Sequence, residues 1–219
     1  MKLPISDRLL ACAAFVCPGD RIADVGCDHG YLSIHLLQEN IAASAICSDV
    51  RQQPLQSAVR NAEKYGLREK MEFYLSDGVQ NIPRDFNTLI CAGMGADTMV
   101  SIFTAAPWLK DGKYRLILQC QSKTPLLRQY LSDSGFSIIQ EAVLRDGRFL
   151  YTVMEVIFAP EQPRLSPAQC YLPTVLCGEE ADAYRDWVIG GLKIAVQHQN
   201  DPQKEEILRE LEDTYDHSE

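Results

Sequence analysis

Acidic residues and glycines alternate in the stretch ADVGCDHGYL, residues 23–32, in a pattern that can bind a small molecule. Gly26 and Gly30 bracket Asp28 and His29, so the backbone there can approach a ligand without an intervening Cβ atom. The G-x-G-x-x-G fingerprint of dinucleotide-binding folds is absent. A pyrophosphate in this turn would meet the Asp28 carboxylate as a like charge, which disfavours NAD or FAD and favours a cationic ligand.

Further acids follow later apolar segments. Asp49 ends a second segment, where a carboxylate can accept both hydroxyls of a ribose, and Asp77-Gly78 ends a third, where an acid can accept from an adenine amino group. The glycines of AGMG, residues 92–95, end a fourth. S-Adenosylmethionine carries a sulfonium, an α-ammonium, a ribose and an adenine, so the series predicts that cofactor. A single acid after a strand commonly caps a helix or turn, and Asp28 could do only that.

These residues need a scaffold that brings four strand ends together. Apolar runs alternate with segments of helical spacing about five times, which predicts a parallel, doubly wound α/β sheet that binds ligands at the carboxyl ends of its strands. Asp146-Gly147 lies between two strand-like runs in residues 136–158 and predicts a terminal antiparallel hairpin. The expected fold is therefore a mostly parallel, seven-stranded Rossmann-like sheet, the pattern of class I methyltransferases. The predicted strands before the hairpin cover residues 21–26, 44–50, 70–78, 87–95 and 114–121, and the predicted helices cover 7–16, 31–40, 53–66, 97–106 and 125–135.

The chain after residue 158 has a different composition. Three prolines in residues 159–169 predict a linker, and residues 179–198 and 202–215 predict a helical hairpin. Residues 159–219 carry 13 acidic and 5 basic side chains, so most of the net charge of −9 resides in this tail. The tail could serve packing or dimerisation as well as substrate binding, and the sequence leaves a monomer and a weak dimer open.

Six short motifs of the chain resemble, in order, those of the bacterial tRNA (adenine-22, N1)-methyltransferase family, called TrmK. The resemblance extends over residues 5–158, with a looser match for the tail as the family's C-terminal helical hairpin. It implies a class I methyltransferase domain at 1–158 and a linker with an αα-hairpin at 159–219. The motifs are SDRL at 6–9, ADVGCDHGYLSI at 23–34, AICSDV at 45–50, SDG at 76–78, AGMGA at 92–96 and RLILQ at 115–119.

The resemblance implies methyl transfer from S-adenosylmethionine to N1 of an adenine in tRNA, and it assigns the cofactor-binding residues by position. Two segments depart from the family's pattern. Ala96 replaces the last glycine of GMGG, and Gln119-Cys120-Gln121 stands where the family has a Gln-Pro-Asn run, which bears on the choice of target. The implied residues are Asp24, Gly26, Asp28 and His29 in the first motif, Asp49 at the ribose, Asp77 and Gly78 at the adenine, and Gly93 and Met94 at the reaction centre.

Methylation at N1 develops positive charge on the adenine, which a nearby carboxylate can stabilise or relieve by accepting a proton from the exocyclic amine, and Asp28 is the candidate. The alternative is that Asp28 only binds the cofactor, and His29 is expected to donate a supporting hydrogen bond rather than act as a base. Five basic residues are candidates for contacts to tRNA phosphates: Arg8, Lys123, Arg128, Arg145 and Arg148.

Other functions stay open at this point. They are a class I methyltransferase acting on another RNA or on a small molecule, and a non-catalytic cofactor-binding module; a nicotinamide oxidoreductase is disfavoured by the missing fingerprint. No apolar run approaches the ~20 residues that span a bilayer, so no membrane association is expected. The eight cysteines form no C-x-x-C pair, which predicts reduced thiols, a cytoplasmic location and no metal site.

Overall fold

The computed structural model describes residues 3–173, 176, 179–199 and 201–216, and its centre is a seven-stranded sheet. The strand order is β3-β2-β1-β4-β5-β7-β6. The first five strands are parallel, and the final hairpin joins β5 in antiparallel orientation through β7. The α/β fold with a terminal antiparallel hairpin is thereby confirmed. The strands are β1 Asp20–Val25, β2 Ala42–Asp49, β3 Met71–Leu75, β4 Thr88–Met94, β5 Arg115–Cys120, β6 Phe136–Asp146 and β7 Phe149–Phe158.

Helices cover both faces of the sheet. The central strands are therefore apolar on successive residues, not only on alternate ones. Ala23 and Val25 of β1 belong to the core on one face, and Ile22 belongs to the core on the other. Two short 3-10 turns lie at Arg68–Lys70 and Pro107–Leu109. The helices are α1 Asp7–Ala13, α2 Tyr31–Gln38, α3 Gln52–Lys64, α4 Ala96–Thr104, α5 Thr124–Asp133, α6 Pro167–Tyr171, α7 Ala181–Gln199 and α8 Pro202–Asp216.

Helix α1 joins the two ends of the domain in space. It lies against β6 of the terminal hairpin and also contacts α2 and β4. An ion pair of 2.8 Å links Arg8 Nε to Asp146 Oδ2 at the end of β6, and the Arg8 guanidinium lies over the Tyr151 ring. The helix thus places Arg8 and Leu9 at the carboxyl edge of the sheet.

The predicted linker at residues 159–169 is partly wrong, because a helix begins inside it. Ser166 and Gln169 form a reciprocal cap: the Gln169 amide donates to the Ser166 hydroxyl, and the Ser166 amide donates to Gln169 Oε1 at 2.8 Å. Pro167 occupies the first turn of α6, where a missing amide proton costs nothing. The prolines therefore start a helix here as well as interrupting one.

The C-terminal helices form the predicted hairpin and share a small core with the strands β6 and β7. Val143 of β6 packs with Tyr184 and Leu192 of α7 and with Ile207 of α8. The boundary at residues 158 and 159 stays a prediction, since this cluster draws on both sides of it.

Arg128 was expected to contact phosphate, and this expectation is wrong because its side chain is fully buried beneath α6. One amino group donates to the carbonyl oxygens of Cys170 and Tyr171 at 2.9 and 3.1 Å, and the other pairs with Glu141. Burial lowers the pKa of Arg128, but the Glu141 carboxylate more than offsets this effect, so the pKa lies above its ordinary value.

Among the helices that the structure describes, none is both long enough and apolar enough to cross a membrane. Seven cysteines are described and each is a free thiol, of which only Cys17 is exposed. The eighth, Cys177, lies outside the described residues.

Candidate active site

The turn after β1 is a left-handed backbone segment that only small or short polar residues adopt easily. Gly26, Asp28 and Gly30 have φ angles of +71°, +50° and +71°. A Cβ atom on Gly26 would lie 2.2 Å from Cε of Met94, and one on Gly30 would lie 3.1 Å from the Ala58 Cβ. The positive φ angles favour glycine at both positions, and Met94 or Ala58 would have to shift to admit a side chain, so the turn packs directly against the AGMG segment.

Eight of the predicted cofactor residues line one cavity of about 440 Å³ at the carboxyl edge of the sheet, a size typical of small-molecule sites. Arg8 and Leu9 of α1 and Gln121 after β5 complete its rim. His29 does not line this cavity and lies instead in a neighbouring recess with Asp28 and Arg51. The eight residues are Asp24, Gly26, Asp28, Asp49, Asp77, Gly78, Gly93 and Met94.

Asp24 is the most deeply buried acid of this cavity, at 4 % exposure. Its Oδ2 accepts a 2.7 Å hydrogen bond from the Ser33 hydroxyl, and within the described part of the chain no basic side chain forms an ion pair with it. Desolvation raises the pKa of Asp24 to about 6, although the Ser33 hydrogen bonds act in the opposite direction. A buried carboxylate without a cation suits a ligand that brings positive charge.

Asp49 connects the end of β2 to the glycine turn. Its Oδ1 accepts from the Arg51 amide at 2.8 Å, and its Oδ2 accepts from the Asp28 amide at 3.3 Å. The Ser48 carbonyl next to it accepts from the amides of Gly26 and Cys27. Because each carboxylate oxygen has two lone pairs, Asp49 keeps acceptor capacity for the two hydroxyls of a ribose.

The end of β4 is positioned by the residues after β5. The Gly93 amide donates to Oε1 of the buried Gln119 at 3.0 Å, and the Gln121 amide donates to the Met94 carbonyl at 2.8 Å. Gln119 was noted from the sequence only as part of the RLILQ motif and of the 119–121 segment, and its positioning role was not predicted. Its place at the end of a predicted strand beside AGMG was the available signal.

Asp28 and His29 are both exposed at the mouth of the site. Asp28 Oδ2 lies 3.8 Å from His29 Nε2, and the His29 ring stacks on Tyr31 with 5.7 Å between ring centres. The His29 carbonyl accepts from the Asn61 side chain at 2.9 Å, which fixes the backbone of the turn. Asp28 is therefore the acid of this turn that a second, larger substrate can reach.

The turn after β3 contributes a buried glycine and an exposed acid. A Cβ atom on Gly78 would lie 2.8 Å from Ile102 Cγ1, so this position also requires glycine. The Gly78 carbonyl accepts from the Ser48 hydroxyl at 3.3 Å, which holds Asp77 at the edge of the cavity. This is the place predicted for the adenine.

The three basic residues of the predicted substrate site lie in different places, and each is paired with an acid. Arg8 borders the cavity and pairs with Asp146. Lys123, after β5, pairs with Asp97 at 2.7 Å, and Arg145 makes two contacts of 2.8 and 2.5 Å with Glu180 of the tail. Ion pairs between exposed side chains contribute little stability in water.

The doubly wound sheet, its terminal hairpin and the acid-rich edge define a class I S-adenosylmethionine-dependent methyltransferase. The methyltransferase domain family matches residues 5–154. The chain is 30% identical over 154 residues to the tRNA (adenine(22)-N(1))-methyltransferase of Bacillus subtilis, and the match covers 70% of this chain and 65% of that enzyme.

Solved structures extend the similarity over nearly the whole chain. A proposed tRNA (m1A22) methyltransferase of Streptococcus pneumoniae, in complex with S-adenosyl-L-methionine, is 31% identical with a TM-score of 0.83, covering 94% of this chain and 99% of that one. The fold is also that of the B. subtilis m1A22 tRNA methyltransferase TrmK, which is 24% identical with a TM-score of 0.78 over 98% and 97% of the two chains. The chain therefore belongs to the methyltransferase domain family and, within it, to the TrmK family.

Proposed function

We propose that this protein transfers the methyl group of S-adenosylmethionine to N1 of adenine 22 in tRNA. The observation that carries the proposal is the single cavity in which eight predicted cofactor residues meet around Asp24, a buried acid that forms no ion pair with any basic side chain the structure describes. The target base is that of the B. subtilis and S. pneumoniae relatives, which are named as methyltransferases of adenine 22 in tRNA.

Each acid of the cavity binds a different part of the cofactor. Asp49 accepts the ribose hydroxyls, and Asp77 accepts from the adenine amine. Asp24, at the base of the glycine turn, offsets the positive charge of the methionine portion. Gly26 and Gly93 let the ligand approach the backbone closely. The bound cofactor supplies an electrophilic methyl group, and the residues present fit it because the uncompensated charge of Asp24 is negative.

The protein's contribution to the reaction is alignment followed by removal of a proton. The target adenine leaves its stack, and its N1 lone pair is held in line with the methyl group. Asp28, exposed at the cavity mouth, faces the developing positive charge of the base and accepts the proton from its exocyclic amine. Arg8, Lys123 and Arg145 exchange their acidic partners for phosphates and hold the RNA.

The organisation of the chain follows from these roles. Residues 1–158 form the methyltransferase domain, and residues 159–219 form a connecting segment with an αα-hairpin that borders the substrate side. The protein acts in the cytoplasm, where reduced cysteines are stable.

The deciding experiment is methyl transfer from labelled S-adenosylmethionine to an unmodified tRNA transcript with adenine at position 22. The matched control is the same transcript with guanine at that position. Incorporation into the first transcript alone supports the proposal. Equal incorporation into both contradicts the target, and absence of incorporation despite calorimetric cofactor binding contradicts tRNA as the substrate.

A further inference from the structure

A second cavity of about 340 Å³ lies beside the first, between the turn after β5, strand β7 and helix α7. Gln121 lines both cavities, so the two are neighbours at the end of the sheet where Gly93 and Met94 lie. The second cavity was not anticipated from the sequence, because its walls come from segments far apart in the chain.

Four of the residues that line this second cavity are aromatic. Tyr151, Tyr171, Tyr184 and Trp187 all line it. Trp187 is 59% exposed, and its ring centre lies 5.8 Å from that of Tyr184 with a tilt of 40°. Tryptophan is usually mostly buried in a folded protein, and an exposed ring beside a concave surface indicates a binding site.

The wall also holds an unused polar group. Thr152 is 2% exposed, and its hydroxyl has no hydrogen-bond partner among the residues that the structure describes. Buried hydroxyls are normally paired, so an unpaired one at a cavity wall requires an explanation. Lys123 and Lys204 line the same cavity, where they pair with Asp97 and Asp201, and a phosphate can replace these acids at its edge.

Rings, a polar group and cations together match an unpaired nucleobase with its phosphate. Bases that leave a stack are recognised by aromatic side chains that stack on them, by hydrogen bonds to their edges and by basic residues at the backbone. The base that is methylated must place N1 at the reaction centre in the first cavity. The second cavity therefore suits a neighbouring base of the same strand.

We propose that the second cavity binds an unstacked nucleobase adjacent to the target adenine, with Trp187 stacked on it. The inference rests on the proposed function for the identity of the RNA, and it adds a binding site on the tail helix. It also gives the acidic hairpin a part in substrate binding through one aromatic side chain rather than through charge.

The first test compares Trp187→Ala with Trp187→Phe in tRNA methylation. Trp187→Ala is expected to raise KM for tRNA by roughly 5- to 100-fold, the effect of losing one base stack, with kcat within about threefold. Trp187→Phe keeps a ring and is expected to recover most of the loss, while calorimetric cofactor affinity is the same in all three proteins. An unchanged KM in Trp187→Ala overturns the proposal.

A tRNA with an abasic nucleotide on one side of adenine 22, at position 21 or at position 23, identifies the bound base. If the missing base is the one that stacks on Trp187, KM for the abasic tRNA is expected to be the same with Trp187→Ala as with the wild type, because both changes remove the same contact. Full additivity at both positions overturns the proposal.

Tryptophan fluorescence gives a readout that does not depend on turnover. The chain has two tryptophans, and Trp108 lies in a ring cluster with Phe86 and Tyr114. Titration with the tRNA transcript is expected to quench the signal of the wild type, and the quench is expected to vanish in Trp187→Phe. Quenching without methylation would contradict the proposed function alone, whereas identical quenching in Trp187→Phe contradicts the stacking site.

Discussion

Two buried acids, Asp24 in the cofactor cavity and Glu141 under the C-terminal helices, have opposite surroundings. Both are almost completely buried, at 4% and 3% exposure. Glu141 is paired with the buried guanidinium of Arg128, which also donates to two carbonyl groups. Asp24 accepts hydrogen bonds from Ser33, forms no ion pair with a basic side chain among the described residues, and lines an open cavity.

The difference distinguishes an acid that supports the fold from an acid that supports a ligand. The charge of an acid that pairs with a basic side chain is balanced before any ligand binds, so replacing that acid affects folding. An acid without one reduces stability in the empty protein, and a cationic ligand relieves that cost. Burial alone therefore does not identify a functional carboxylate, whereas burial beside a cavity without a cation does.

The largest effect is expected at the structural pair. Glu141→Leu leaves Arg128 buried without a counter-charge and is expected to lower the free energy of unfolding by about 3–5 kcal/mol. Urea denaturation measures the change. The control is the double variant Arg128→Met/Glu141→Leu, expected to lose clearly less, and a single-variant loss below about 1 kcal/mol would show that the pair is not important for the fold.

Asp28 extends the comparison to an exposed acid. Asp28→Asn keeps a residue that tolerates the left-handed backbone at this position, and it is expected to lower kcat by about 100-fold with cofactor affinity nearly unchanged. Single-turnover kinetics and calorimetry separate the two quantities. Asp28→Ala, which also strains the turn, is expected to lose cofactor affinity in addition. Equal losses of kcat and affinity in Asp28→Asn would leave Asp28 with a binding role only.

Asp24→Asn is expected to weaken cofactor binding and to raise stability, whereas Glu141→Leu is expected to lower stability. Cofactor affinity falls by about 10- to 100-fold, since a charge next to the ligand is lost. At pH 7 the same variant is expected to be more stable by up to about 3 kcal/mol, the equivalent of the rise of the Asp24 pKa from 3.8 to about 6. Thermal and urea denaturation without cofactor measure this gain, and a loss of stability would refute it.

The pH dependence of cofactor binding gives a smaller effect with a defined sign. Because the pKa of Asp24 in the empty protein is raised to about 6, the carboxylate that binds the cation is present above that pH and lost below it. The affinity is expected to fall by at most tenfold per pH unit below pH 6. The stability penalty of this acid grows as pH rises from about 4 to 6 and is constant above. Calorimetry from pH 5 to 8 tests this, with Asp24→Asn as the flat control.

The smallest effect is expected at an exposed pair. Arg145→Ala removes the ion pair with Glu180 and is expected to leave the free energy of unfolding nearly unchanged, because water screens an exposed pair. Its effect on tRNA binding is expected to be a modest rise in KM. A loss of stability as large as that of Glu141→Leu would mean that the exposed pair supports the fold as much as the buried pair does.

The sequence predicts the sheet and its acid-rich edge because both depend on local signals. Alternating apolar and polar segments mark strands and helices, and Asp49 and Asp77 follow strands closely enough to be placed at one edge. Asp146-Gly147 marks the hairpin for the same reason. The cofactor cavity follows directly from parallel strands that end side by side.

Long-range pairing could not be predicted from the same signals. Arg128 reads as a surface residue of an amphipathic helix, and only the fold of residues 141 and 170 around it shows that it is buried. The helix at Pro167 was hidden by its prolines, and the second cavity required the positions of Tyr151 and Trp187 relative to each other.

The docking of α1 against β6 has a consequence for synthesis on the ribosome. Helix α1 is made first, yet the strand on which it packs and Asp146, the partner of Arg8, are among the last parts of the domain to emerge. At ~5–20 residues per second, on the order of ten seconds separate the synthesis of α1 from that of β6 and Asp146. The strands through β4 can form the edge of the sheet well before the hairpin holds Arg8 and Leu9 in place beside the cofactor cavity. Full ligand affinity is therefore expected only after the hairpin has left the exit tunnel.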